Sequence, residues 1–589
     1  TAANFTGTIF SSFTASIAAS TLTVTGLATD VTYYFRVASL NWNSRTNYLS
    51  VGSTKTLTFA GAAPNDVRIF RVFAGSVTMS WVSVNSDGGY VVDASTDADF
   101  DGDIFSSSTA SGDVTSLSPA SLDTNTTYFL RVGALWGTTT SYYVPTLSTS
   151  TLASPVTGMA FNEMFFSSAT VVWTPHPFSP PDASSKTAEG YVLEASTAAN
   201  FTGTIFSSAT RNVALSALSV TGLAVNTTYY FRVGSLNWND ATNYAVLGAS
   251  ATLASPPGLA GTIFTGVFLS SMSAQWSAGS PTNPAGTRYR LQGSSTAFAP
   301  GTLVVSSTTG NLFAALSSLL PNTTYALRVA ALNFNNVPSP TALASTSTLS
   351  SLPLILPETF LGVFETSATL AWAARPDSPP DASSKTAEGY LLQASSTNFA
   401  ALLPGGLVYS SATTAIAAST LTLAGLERNT TYYFRVAALN WNSAANFAVL
   451  GASSTLAAPV TGAQIYGVFE TSATLNWAAL AASPQAATSE GYRLQASSTN
   501  FGALLPGGAL LSSSTTNAAL STLTVSGLAA DTTYYFRVGA LNWAALPSLV
   551  GGGSTSTLSS PVAPAFVSIQ VTSAVVSWTR NTRHAAVYT

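Results

Sequence analysis

Apolar and polar residues alternate along most of the chain, as in Ser168-Ala169-Thr170-Val171-Val172-Trp173. The alternating runs are broken by Gly, Pro, Asn and Ser. A period of two puts successive side chains on opposite faces of an extended strand, whereas a helix would repeat every three to four residues. Over 156–256 the pattern predicts strands near 169–174, 190–196, 203–208, 217–222, 228–237 and 245–252, preceded by a first edge strand. Strands of this kind, each with one apolar face, pack as two sheets around a shared core.

The same pattern recurs along the sequence. TYYFRVASLNWN, TYFLRVGALW, TYYFRVGSLNWN, TYALRVAALNFN, TYYFRVAALNWN and TYYFRVGALNW place Arg36, Arg131, Arg232, Arg328, Arg435 and Arg537 at similar intervals. Trp81, Trp173, Trp276, Trp372, Trp477 and Trp578 each close a short alternating run and mark the same period. Pro in TLASPV, TLASPP, TLSSLP, TLAAPV and TLSSPV removes a ladder donor and ends each unit, so the linkers are short. The resulting division is 1–60 (a partial unit with the later strands only), 61–155, 156–256, 257–352, 353–459, 460–561, and 562–589 (a partial unit with the first strands only).

These residues resemble the fibronectin type III family. A Trp in the second strand, a Tyr early in the third, and a Leu-x-Pro-x-Thr-x-Tyr corner leading to Arg-Val on the sixth are matched by Trp276, Tyr289, Leu319, Pro321, Thr323, Tyr325 and Arg328. In other units the corner Pro is replaced, by Val225 or Ala530, while Leu223, Thr227 and Tyr229, or Leu528, Thr532 and Tyr534, keep the pattern. The resemblance implies an all-β chain of tandem seven-stranded, immunoglobulin-like sandwiches forming an elongated rod. It also implies that each corner Tyr bonds back to the backbone.

Composition narrows the function. Hydrophobic residues make up 46% of the chain and charged residues 7%, with a net charge of -4, so the chain folds behind a neutral surface rich in Ser, Thr and Ala. No basic stripe exists for nucleic acid, and no apolar run is long enough for a membrane-spanning helix. Cysteine is absent, which removes disulfides, thiolate ligands and thiol nucleophiles. His176 and His584 are the only histidines and fall in different units, so no repeated Ser-His-Asp arrangement exists and the chain does not read as an enzyme.

Three sets of residues stand out as candidate sites. Asp97, Asp99, Asp101 and Asp103 space carboxylates every second residue around Gly102, as a calcium loop begins. The twelfth position, however, is Ser108, and the matching TAANFTGT segment has no acids, so the alternative is a solvated turn between the third and fourth strands. Asn125, Asn226, Asn322 and Asn429 open Asn-Thr-Thr, and Asn4 and Asn200 open Asn-Phe-Thr, giving six glycosylation sequons. The corner asparagines are alternatively turn residues that tolerate positive φ, as fibronectin-type corners imply. Trp42, Trp238, Trp441 and Trp543 recur after the sixth strand, with Phe334 and Trp136 near the same place. They read as junction packing, or as a platform for a flat sugar face. Two units share SPPDASSKTAEGY, at 179–191 and 378–390, in the loop between the second and third strands.

The expected role is an extracellular or cell-surface stalk, sheath or filament that needs no cofactor. Its expected partners are copies of itself, side by side or head to tail; the two partial units are either the ends of a window in a longer repetitive chain or halves by which the last partial unit of one copy completes the first of the next. The alternatives are an adhesin gripping a glycan or surface receptor, with 61–155 as its most distinctive unit, and the spacer of a larger secreted protein.

Overall fold

A computed structural model of the chain describes residues 1–57, 61–177, 187–375, 386–400, 407–502 and 508–579. Both SPPDASSK segments, and the end of the chain around Tyr588, lie outside these residues. The described chain divides into two compact units. One comprises Thr1–Pro257, Ala278–Arg288 and Ala331–Ser339; the other comprises Gly258–Ser277, Tyr289–Ala330 and Pro340–Thr589.

Residues 157–251 represent the repeat. Their strands are Thr157–Met164, Ser168–Thr174, Gly190–Ser196, Ile205–Thr210, Ala217–Thr221, Thr228–Leu236 and Thr242–Ala251. The first, second and fifth strands form one sheet, while the fourth, third, sixth and seventh form the other in that order. The fourth strand starts slightly later than the alternation predicts and the seventh slightly earlier. The seventh is lengthened by its pairing with the sixth, which runs past a bulge between Phe231 and Arg232. The same three-plus-four order recurs in 258–347, 360–454 and 461–556. In 65–150 the loop before the seventh strand shortens to a tight turn at Gly137 (φ 54°), and the strand is broken into Thr139–Tyr142 and Leu147–Ser150 around Pro145, which has no amide to donate. This two-sheet order is that of a fibronectin type III-like sandwich.

Inward positions of both sheets build each core. In 157–251 these include Val171, Trp173, Tyr191, Leu193, Phe231 and Val233, all buried. The Trp of the second strand leans on the Tyr of the third, with Trp173 and Tyr191 centred 5.1 Å apart and Trp477 and Tyr492 5.0 Å apart. The tyrosine corner is present in every described copy. The Tyr229 hydroxyl accepts from the Ala224 amide at 2.9 Å, and Tyr33, Tyr128, Tyr325, Tyr432 and Tyr534 accept likewise at 2.8–3.1 Å. Burial pushes the Tyr128 and Tyr432 hydroxyls up from the ordinary phenol range, so they stay protonated.

The partial units form hairpins. Thr32–Leu40 pairs with Thr46–Lys55, and Pro564–Ile569 pairs with Ala574–Trp578. Residues 8–25, whose counterparts are the fourth and fifth strands elsewhere, are not strands here.

Candidate functional site

The repeats meet through side-chain amides. The loop after the sixth strand folds around Asn237, whose Oδ1 accepts from the amides of Asn239 and Ala241 at 3.0 and 2.8 Å. That leaves Nδ2 to point at the preceding sandwich, where it donates to the carbonyls of Ser150 and Thr151 at 2.9 and 3.0 Å. Asn333 bonds Ala251 and Thr252 in the same way, Asn440 bonds Ser347 and Thr348, and Asn542 bonds Ser454 and Thr455. Asn237, Asn333, Asn440 and Asn542 are all buried, so these bonds satisfy carbonyls that water does not reach.

The receiving threonine also anchors the corner. The Thr151 hydroxyl donates to the Asp123 carbonyl at 2.6 Å and accepts from the Thr126 amide at 3.0 Å. Thr252, Thr348, Thr455 and Thr557 repeat this arrangement. The TLAS, TLSS and TLAA sequences are therefore more than linkers, since their Thr couples each corner to the next sandwich.

A second clasp runs in the opposite direction. Asn125, at φ 49°, sends Nδ2 to Thr187 Oγ1 and Glu189 Oε1 of the following sandwich at 2.9 and 3.1 Å. Asn322 makes the same pair of bonds to Thr386 and Glu388, and Asn429 to Thr488 and Glu490, while Asn226 bonds Thr287. The amides of Trp238 and Phe334 close the loop by donating to Oδ1 of Asn125 and Asn226 at 3.2 and 2.8 Å. Glu189 stands in a Glu-Gly-Tyr motif. A Cβ on Gly190 would come within 2.2 Å of the Thr210 carbonyl, so the glycine lets the chain pass and brings Glu189 to the junction.

These positions revise the sequence-based expectations. Asn125, Asn226, Asn322 and Asn429 are at most 1% exposed and their Nδ2 atoms are engaged, so the folded junction leaves no room for a glycan there. They take the positive φ expected of corner residues, 45–49°. Asn4 and Asn200 are exposed, with Oδ1 accepting from the threonine two residues on. The rings of Trp238, Trp441 and Trp543 remain more than half exposed, and that of Trp42 is fully exposed. The asparagine before each of Trp238, Trp441 and Trp543 makes the junction bonds. Trp136 ends its own strand and donates Nε1 to the Ala62 carbonyl at 3.1 Å, covering Gly61.

Asp97, Asp99, Asp101 and Asp103 do not converge: among the described residues no three His, Asp or Glu side chains gather as a metal site. Asp97 Oδ1 caps the Asp99 amide at 2.9 Å, and Asp99, Asp101 and Asp103 are exposed. The residue that turns inward is Phe100, whose ring lies 4.0 Å from the Arg131 guanidinium.

That contact belongs to a repeated motif absent from the sequence reading. Phe5, Phe100, Phe201, Phe298, Phe399 and Phe501 all sit at φ 54–64°, where a bulky side chain is strained by about 1–3 kcal/mol. Each lays its ring on the Arg of the sixth strand, at 3.8–4.2 Å. Cation–π attraction of about 0.5–2 kcal/mol offsets that strain. On the third strand, Asp93, Glu194, Gln292, Gln393 and Gln495 accept from the arginine Nε. The signal was available as a Phe 30 to 36 residues before each Arg.

No family model and no curated protein matches the chain. Among solved structures, the chicken CNTN1 FN1–FN3 domains are 17% identical, covering 52% of this chain and 99% of theirs with a TM-score of 0.21. A two-domain fibronectin type III segment of chicken tenascin is 19% identical, covering 32% and 99% with a TM-score of 0.20. The sheet order and corners of this chain define its class: tandem fibronectin type III-like sandwiches.

Proposed function

We propose that the chain is an extracellular structural element of the stalk, sheath or filament kind. The observation that carries this reading is the junction, built by the same asparagine and threonine positions at four successive places. A chain whose sandwiches served as independent binding modules would not need each neighbour fixed through buried amide bonds. The clasps join side-chain amides to backbone carbonyls, threonine hydroxyls and glutamate carboxylates at the junctions. Electron microscopy of the native material tests the reading. Continuous fibres or surface projections of repeating beads are expected, and dispersed monomers that bind glycan or receptor would overturn it.

A further inference from the structure

In four copies the arginine of the sixth strand lies between two rings. Arg36, Arg131, Arg232 and Arg435 have Tyr48, Tyr142, Tyr244 and Phe447 over the second face at 3.7–4.1 Å. That ring always comes from one register position, the residue opposite Ala38, Gly133, Gly234 or Ala437. In the last complete sandwich the residue at that position, opposite Gly539, is Leu549. The next step also loses its side chain, because Arg537 pairs with Gly551 where Arg232 and Arg435 pair with Val246 and Val449. Phe501 still covers one face at 4.0 Å. Among the described residues no second ring lies on this guanidinium, and beside it opens a cleft of about 370 Å³ whose lining includes Asn500, Phe501, Tyr535, Arg537, Leu549 and Gly551.

We propose that this cleft is a binding site for a tyrosine or phenylalanine side chain presented by a partner polypeptide, its ring stacked on the open face of Arg537. The chain itself supplies the template, since in four other copies an aromatic side chain closes that face. Gln495 holds the guanidinium in place by accepting from Nε at 2.6 Å, so the receiving face is preorganised. A planar ring gains cation–π attraction there that an aliphatic group of equal size does not.

The test follows the arginine Nε–Hε resonances of the full chain, labelled with nitrogen-15 in arginine, during titration with p-cresol, N-acetyltyrosinamide and cyclohexanol. Arg537→Lys assigns the signal. Both aromatic probes should shift Arg537 saturably while Arg232 and Arg435 stay still; cyclohexanol should have no effect, and Leu549→Tyr should abolish the response. An equal response to cyclohexanol, an unchanged response in Leu549→Tyr, or no response at Arg537 would overturn the site. A response to p-cresol alone would overturn a polypeptide as the source of the ring.

Discussion

The side-chain amide of Asn237 donates to the carbonyl of Thr151, a residue of the preceding sandwich whose hydroxyl braces the corner below Tyr128. Core, corner and junction are thus joined through one threonine.

Asn237→Ala removes both donors and strands two carbonyls, of which Thr151 is fully buried. The expected cost is about 2–4 kcal/mol, from the penalty for buried unsatisfied groups. It should fall on the junction, with faster proteolysis near 153–157 and core amides of both sandwiches as protected as before. Asn237→Asp should behave similarly, because it keeps the acceptor of the loop and loses the donor.

Phe201→Ala should destabilise its sandwich by only about 1 kcal/mol, since losing the ring from Arg232 is partly offset by losing a bulky side chain at φ 57°. Phe201→Gly relieves that strain fully. It should unfold at a denaturant concentration at or above that of Phe201→Ala, an order opposite to the usual cost of glycine.

His176 stacks on Tyr191 with ring centres 5.9 Å apart, and its Nε2 is buried without a hydrogen-bond partner among the described residues. Burial lowers its pKa below 6.5, so between that folded value and 6.5 the unfolded chain binds more protons. The contribution is complete above 6.5 and falls as pH drops through the window. Hydrogen exchange at core amides such as Leu193 and Val233 should accelerate there, and His176→Phe should flatten the profile.

Expression in a glycosylating host should modify Asn200 and leave Asn226 and Asn322 bare, as read by peptide mapping. A glycan on Asn226 in folded protein would mean that the clasp to Thr287 opens.

Much of this was legible in the sequence. Alternation fixes strands, and Trp173, Tyr191 and Tyr229 fall where the repeat predicts core and corner. The junction was half legible: the recurring Trp238 marks the right loop, yet its ring is exposed while Asn237 makes the bonds. Asparagine reads equally as a turn residue or a sequon, and only packing decides where Nδ2 points. The Phe201–Arg232 stack was missed because a bulky residue at positive φ contradicts local preference, and tertiary contact alone stabilises it. The aspartates around Phe100 drew attention that belonged to the ring between them.

The clasps are mostly neutral, a primary amide on a carbonyl or a hydroxyl. Dissolved ions weaken attraction between exposed charges and do little to buried dipoles. Junctions of this kind should therefore hold with little dependence on ionic strength.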